Sequence, residues 1–88
     1  MSIAWSWKHN DLRSYGEATG PNAAGYCASW AEVQPMEDGG DRWRAKIVAD
    51  LEDDRMGRAT AARRHFATRE AAIAWCEQSL PTLLGVLS

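Results

Sequence analysis

An α+β domain is what this sequence predicts: an antiparallel sheet of three to four strands with one C-terminal helix packed on one face. Three observations carry that expectation. Apolar residues alternate along Ile3, Trp5, Trp7 and again along Trp43, Ala45, Ile47, Ala49, Leu51. Turn-forming residues separate the alternating runs, and helical spacing replaces period two only after Thr68. At 88 residues the chain makes a single domain, 1–88. Hydrophobic residues at 45% and charged residues at 25% sit near globular averages, which excludes wholesale disorder.

The first strand pairs Ile3, Trp5 and Trp7 on one face against Ala4, Ser6 and Lys8 on the other. Residues 10–25, rich in Gly, Asn, Ser and Asp and carrying Pro21, read as a long loop. Tyr26, Ala28 and Trp30 then alternate with Cys27, Ser29 and Ala31 in a second strand that can run to Val33. Pro35 ends it, and Glu37-Asp38-Gly39-Gly40-Asp41 supplies a turn that makes the second and third strands antiparallel neighbours. In the third strand Trp43, Ala45, Ile47, Ala49 and Leu51 share a face, with Arg42, Arg44, Lys46 and Asp50 opposite. Glu52-Asp53-Asp54 and Gly57 form the next turn. Residues 59–66 suit either a strand or, with three alanines, a helix; a strand is preferred because the following helix then starts cleanly at Thr68.

Thr68 is an N-cap, its hydroxyl placed to accept from the first free amides, and Glu70 complements the positive helix end. Ala72, Trp75, Cys76 and Leu80 make one apolar stripe. Pro81 is expected to end or bend the helix, leaving residues 81–88 as an apolar C-terminal tail.

Function classes are bounded by what is present. The start, Met1 to Trp7, is too polar for an export signal, and no run approaches the ~20 apolar residues of a membrane span, so a cytoplasmic location without membrane contact is expected. Cys27 and Cys76 form no C-x-x-C pair and read as free buried thiols; with His9 and His65 they match no zinc spacing, so neither metal nor other cofactor is expected. The chain lacks glycine-rich phosphate loops and a nucleophile elbow, and a Cys–His pair would need an exposed thiol. The acidic cluster Asp50, Glu52, Asp53, Asp54 brackets a turn, where carboxylates face water. No catalysis is expected.

Two surfaces stand out instead. Trp43 and Trp75 belong to the core, while Trp5 and Trp7 share a face that Trp30 can continue, and part of that cluster can reach the surface. Charge is also segregated. Residues 1–41 hold two basic and six acidic side chains, residues 42–69 eight basic and four acidic, and residues 70–88 two acidic, for a net −2. Arg42, Arg44 and Lys46, with Arg63 or Arg64 beside them, form either a cationic platform or an ordinary solvated face. Tryptophan beside arginine is the composition of binding hot spots. The expected partner-binding set is therefore Arg42, Arg44, Lys46, Arg63, Arg64, Trp5 and Trp7.

Within residues 42–80, Trp43-x-Ala45-x-Ile47, a turn, and Phe66-Ala67-Thr68-x-Glu70-Ala71-Ala72 resemble the Apetala-type plant domain and the arm-site DNA-binding domain of phage integrases. In those domains a three-stranded sheet lies on the DNA major groove with a helix bracing its back. The resemblance implies groove-facing roles for Arg42, Arg44 and Lys46; His65 departs from it, standing where the family has a glycine. In general character the chain also resembles small phage and mobile-element orphan proteins, anti-CRISPR inhibitors among them. Together these imply a protein-binding module, plausible as a mobile-element inhibitor of a host nucleic-acid-processing or defence complex. A DNA-binding module using the cationic sheet face is the alternative.

Overall fold

The computed structural model describes residues 3–19, 21–22, 25–27, 29–36, 42–52 and 58–87. The first alternating run gives β1, Ala4–His9, and an Asx turn closes it: Asn10 Oδ1 accepts from the amides of Leu12 at 2.9 Å and Arg13 at 2.8 Å. The chain returns as β2, Ser14–Thr19, antiparallel to β1 with Trp7 opposite Gly16. Beyond β2 lie β3 (Pro21–Asn22), β4 (Gly25–Cys27), β5 (Trp30–Pro35), β6 (Trp43–Glu52), β7 (Arg58–Phe66) and α1 (Arg69–Leu87). The β3–β4 pairing keeps the register of β2 with β5, and β4 keeps the register of β5 on β6. The seven segments therefore compose five strands, each antiparallel to its sequence neighbour, and α+β describes the result.

Three expectations need correction. The sheet has five strands rather than three to four, because the expected loop over 10–25 contains β2 and β3 and half of a hairpin with β4. Composition hid β2. Its inward positions are Ser14, Gly16 and Ala18, all buried, and small residues are required there because β1 lays its aromatic rings over them. A Cβ at Gly16 would stand 2.8 Å from Cδ2, Cε3 and Cζ3 of Trp7, inside contact distance. The expected tail over 81–88 is also helical as far as Leu87, with Pro81 inside α1. Leu83 and Leu84 beyond it are half-buried against the core. Burying a leucine contributes about 1.5–3 kcal/mol, so two partly buried ones offset much of the ~3 kcal/mol that an interior proline costs. Finally, Trp30 does not continue the face of Trp5 and Trp7. It stands on the opposite face, since its neighbours Ala31 and Val33 are the buried ones.

Residues 59–66 are strand, paired along β6 from Asp50↔Ala59 to Trp43↔Phe66. The helix lies over β6 and β7 and touches β5. Ala31, Val33, Ala45, Ile47 and Ala49 from the sheet meet Ala72, Cys76 and Leu80 from α1, all at 0% exposure. Alanine dominates this interface, so the helix sits close and the large aromatics form a half-buried rim. Trp75 packs there against Phe66, centroids 5.7 Å apart and tilted 46°, and Trp43 lies under the Arg69 guanidinium at 4.5 Å. Thr68 caps as expected, its Oγ1 accepting from the Ala71 amide at 3.1 Å. Arg69 ties the helix start to the β1–β2 turn by donating to the carbonyls of Asn10 (2.9 Å) and Asp11 (2.8 Å). The turn residues 37–41 and 53–57 and the side chains of Cys27 and Leu51 lie outside the described residues. Among the described residues no helix is long and apolar enough to cross a membrane.

Candidate functional site

The sheet has one face under α1 and one open face, and register sorts the charged side chains between them. Arg44 stands between Gln34 on β5 and His65 on β7; Lys46 stands between Glu32 and Arg63. All alternate with buried residues of the helix side, so all belong to the open face. Glu32, Gln34, Arg44, Lys46 and Arg63 line a shallow depression there. Arg44 and Lys46 are half-buried and Arg63 is exposed.

Electrostatics in this depression are unbalanced. Lys46 and Arg63 are directly opposed like charges, an arrangement that costs stability in a bare sheet. Glu32 is the acid within reach, and it is already engaged from its other side by Arg13, Nε to Oε1 at 3.3 Å. Lys46 Nζ sits 5.3 Å from the Trp30 centroid, and Trp30 in turn stacks on Tyr15 at 6.0 Å and 26°. The result is a cationic hollow lined by polar and charged side chains, with an aromatic pair beside it. Glu17, opposite Trp30, and Asp50, farther along β6, mark its acidic margins on the same face.

The expected site residues divide between the faces. Arg44, Lys46 and Arg63 come together, and exposed Arg42 precedes β6, its carbonyl accepting from the Met36 amide at 3.1 Å in continuation of the ladder. Arg64 stands on the helix side, its guanidinium 5.6 Å from the Phe66 centroid. Trp5 and Trp7 also stand on the helix side, along β1. Sequence reasoning missed Tyr15, Trp30, Glu32 and Gln34. The signal was available in β5, where Trp30, Glu32 and Gln34 alternate with Ala31 and Val33.

The other chemical candidates separate. His65 faces the open side while Cys76 is buried beneath the helix, so they do not form a nucleophile–base pair. Burial, with the neighbouring Glu77 carboxylate adding to it, pushes the Cys76 thiol up to about 12 and keeps it protonated at neutral pH. Among the described residues no three of His, Cys, Asp and Glu gather into a metal-binding group. Asp50 is half-buried on the open face, its amide donating to Ser29 Oγ at 3.0 Å, while its acidic neighbours 53 and 54 lie outside the described residues. Comparison with protein-family models, curated proteins and solved structures returns no match.

Proposed function

We propose that this chain is a non-catalytic binding module that docks an acidic segment of a protein partner on its open sheet face. The observation that carries the reading is the depression itself: three cations line it against one carboxylate, Glu32, which is shared with Arg13. Tyr15 and Trp30 beside it supply the aromatic area that anchors protein interfaces. An ordinary interface buries about 800 Å² per partner, a modest part of a 5840 Å² surface, and the five-stranded face offers that area. Glu17 and Asp50 limit the positive region to a local patch, which suits a few carboxylates better than a continuous polyanion. A cationic face does not mimic nucleic acid. If the module inhibits a host nucleic-acid-processing or defence complex, it acts on an acidic protein surface rather than in the nucleic-acid channel.

Duplex DNA is the second reading, favoured by one feature: β5, β6 and β7 form a three-stranded face with α1 behind it and Arg44 and Lys46 in front. One experiment separates the two. Immobilised wild type and an Arg44→Glu/Lys46→Glu/Arg63→Glu variant are compared for proteins retained from a lysate, and both are titrated with duplex DNA at low salt. A protein held by the wild type and released by the variant, with no DNA shift, supports the first reading. DNA binding lost steeply with salt supports the second. Identical retention by both proteins places the interaction off this face.

A further inference from the structure

The helix-side face is not wholly covered by α1, which lies over β5, β6 and β7 and leaves β1 and β2 to one side. What covers β2 there is a row of rings from β1. Trp5 and Trp7 lie in planes 12° apart with centroids 5.3 Å apart, and Trp7 and His9 in planes 10° apart at 6.1 Å. A Cβ at Gly16 would be equidistant from three consecutive ring atoms of Trp7, so the benzo ring presents its flat face, not its edge, to the strand beneath. Ser14 at 0% exposure holds His9 through Oγ, 2.7 Å from Nδ1, and Ala18 at 1% underlies Trp5. The three rings are thus fixed in near-parallel orientation by the strand they rest on.

The rim of this strip has its own chemistry. Trp7 Nε1–H donates to Glu77 Oε1 at 3.0 Å, an exposed bond that sets a helix carboxylate beside the rings. Its second oxygen has no protein partner among the described residues. The cations Lys8 and Arg13 project to the open face, where Lys8 stands beside Tyr15 and Arg13 reaches Glu32, while Arg69, at the His9 end of the strip, is engaged by the carbonyls of Asn10 and Asp11 and lies over Trp43. At Trp7 the strip therefore combines near-parallel stacked rings with a carboxylate acceptor, and the cation at its far end, Arg69, already has its donors on backbone carbonyls. Polyanions are disfavoured by the carboxylate. A sugar ring with equatorial hydroxyls fits, because its axial C–H bonds form an apolar face for stacking and its rim hydroxyls donate to a carboxylate.

We propose that the Trp5–Trp7–His9 strip is a carbohydrate platform taking a neutral, β-1,4-linked, gluco-configured oligosaccharide, a straight chain whose successive rings follow an extended strand. The proposal stands apart from the open-face reading, since the two surfaces are on opposite sides of the sheet.

The test is calorimetric titration with cellohexaose and chitohexaose, with maltohexaose as the coiled α-linked control, and NMR observation of the Trp7 indole N–H. At least one β-linked hexasaccharide should bind in the millimolar range or tighter and shift that signal. His9→Ala and Trp5→Ala should each weaken binding about tenfold, the equivalent of one aromatic contact. His9 is exposed, so its variant keeps the test alive if Trp5→Ala misfolds. The Arg44→Glu/Lys46→Glu/Arg63→Glu variant should bind sugar as the wild type does, which keeps this result independent of the open face. No binding of either β-linked probe overturns the proposal. Equal binding of maltohexaose, or binding untouched by His9→Ala, does the same.

Discussion

Gly16 occupies the position where one missing methylene shapes two strands. The Trp7 ring crowds the place where a Cβ would be, with three ring carbons 2.8 Å away, so Gly16→Ala must displace the indole from β2. A cost of about 1–3 kcal/mol in urea unfolding is expected, the usual range for overpacking, together with a blue-to-red change in tryptophan emission as the ring becomes wetter. An unchanged midpoint would mean that the ring shifts freely. Cys76 makes a second residue-scale prediction. Its pKa rises from 9.0 to about 12 in the folded chain, so the unfolded state releases its proton first as pH climbs. Stability from this group is whole below pH 9 and falls by about 1.4 kcal/mol per pH unit between 9 and 12. Cys76→Ala should flatten that alkaline decline. Thiol reagents without denaturant should label Cys76 slowly for the same reason, because the reactive thiolate is scarce.

The elements carry different kinds of information. Strand β6 and the start of α1 were legible because charged and apolar residues alternate or recur at the right period over long runs, whereas β7, rich in alanine, suited a helix as well and was read as strand only from the clean helix start at Thr68. The β2 strand was illegible because its inward residues are Ser14, Gly16 and Ala18, chosen for their lack of bulk, and such residues read as loop. The helix end was misjudged for an energetic reason. Proline removes one amide and crowds the preceding turn, yet Leu83 and Leu84 beyond it gain contact with the core only if the helix goes on. Pro81→Ala should therefore raise stability by about 1–3 kcal/mol, since the exposed ring gives up nothing buried and the Glu77 carbonyl regains an amide partner. Thermal unfolding of the two proteins checks this; a destabilised alanine variant would show that the proline shapes the helix path.

Across the whole molecule, folding gathers charges that the chain keeps far apart. Arg44 and Lys46 from β6 meet Arg63 from β7, and the acid that would balance them is shared with Arg13 from the far side of β5. Reversing Arg44, Lys46 and Arg63 to Glu should leave the domain folded and cost about 1 kcal/mol or less per site, because surface charges contribute little to folding and the main loss is the Lys46–Glu32 cross-strand pair, which becomes two opposed carboxylates. Circular dichroism and urea unfolding test that part. Binding to an acidic partner should fall sharply in the variant and, in the wild type, weaken as salt shortens the ~10 Å screening length found near 0.1 M. A complex indifferent to salt would rest on Tyr15 and Trp30 rather than on the cations.

The sequence by itself determined the class, the helix cap at Thr68 and the burial of Ala45, Ile47, Ala49, Ala72, Cys76 and Leu80, since each follows from period and local chemistry. It also set Arg42, Arg44 and Lys46 on one strand face with Arg63 or Arg64 beside them. Only tertiary structure decided which tryptophans share a face, that Arg64 leaves the cationic set, and that Glu32 and Gln34 complete the hollow. Alternation says that neighbours point opposite ways, but which way each strand points depends on what its partners bury. Trp30 faces outward because Ala31 and Val33 are small enough to lie beneath a close-packed helix, while Trp5 and Trp7 stay on the helix side because β2 offers them a floor of small residues, Ala18 and Gly16.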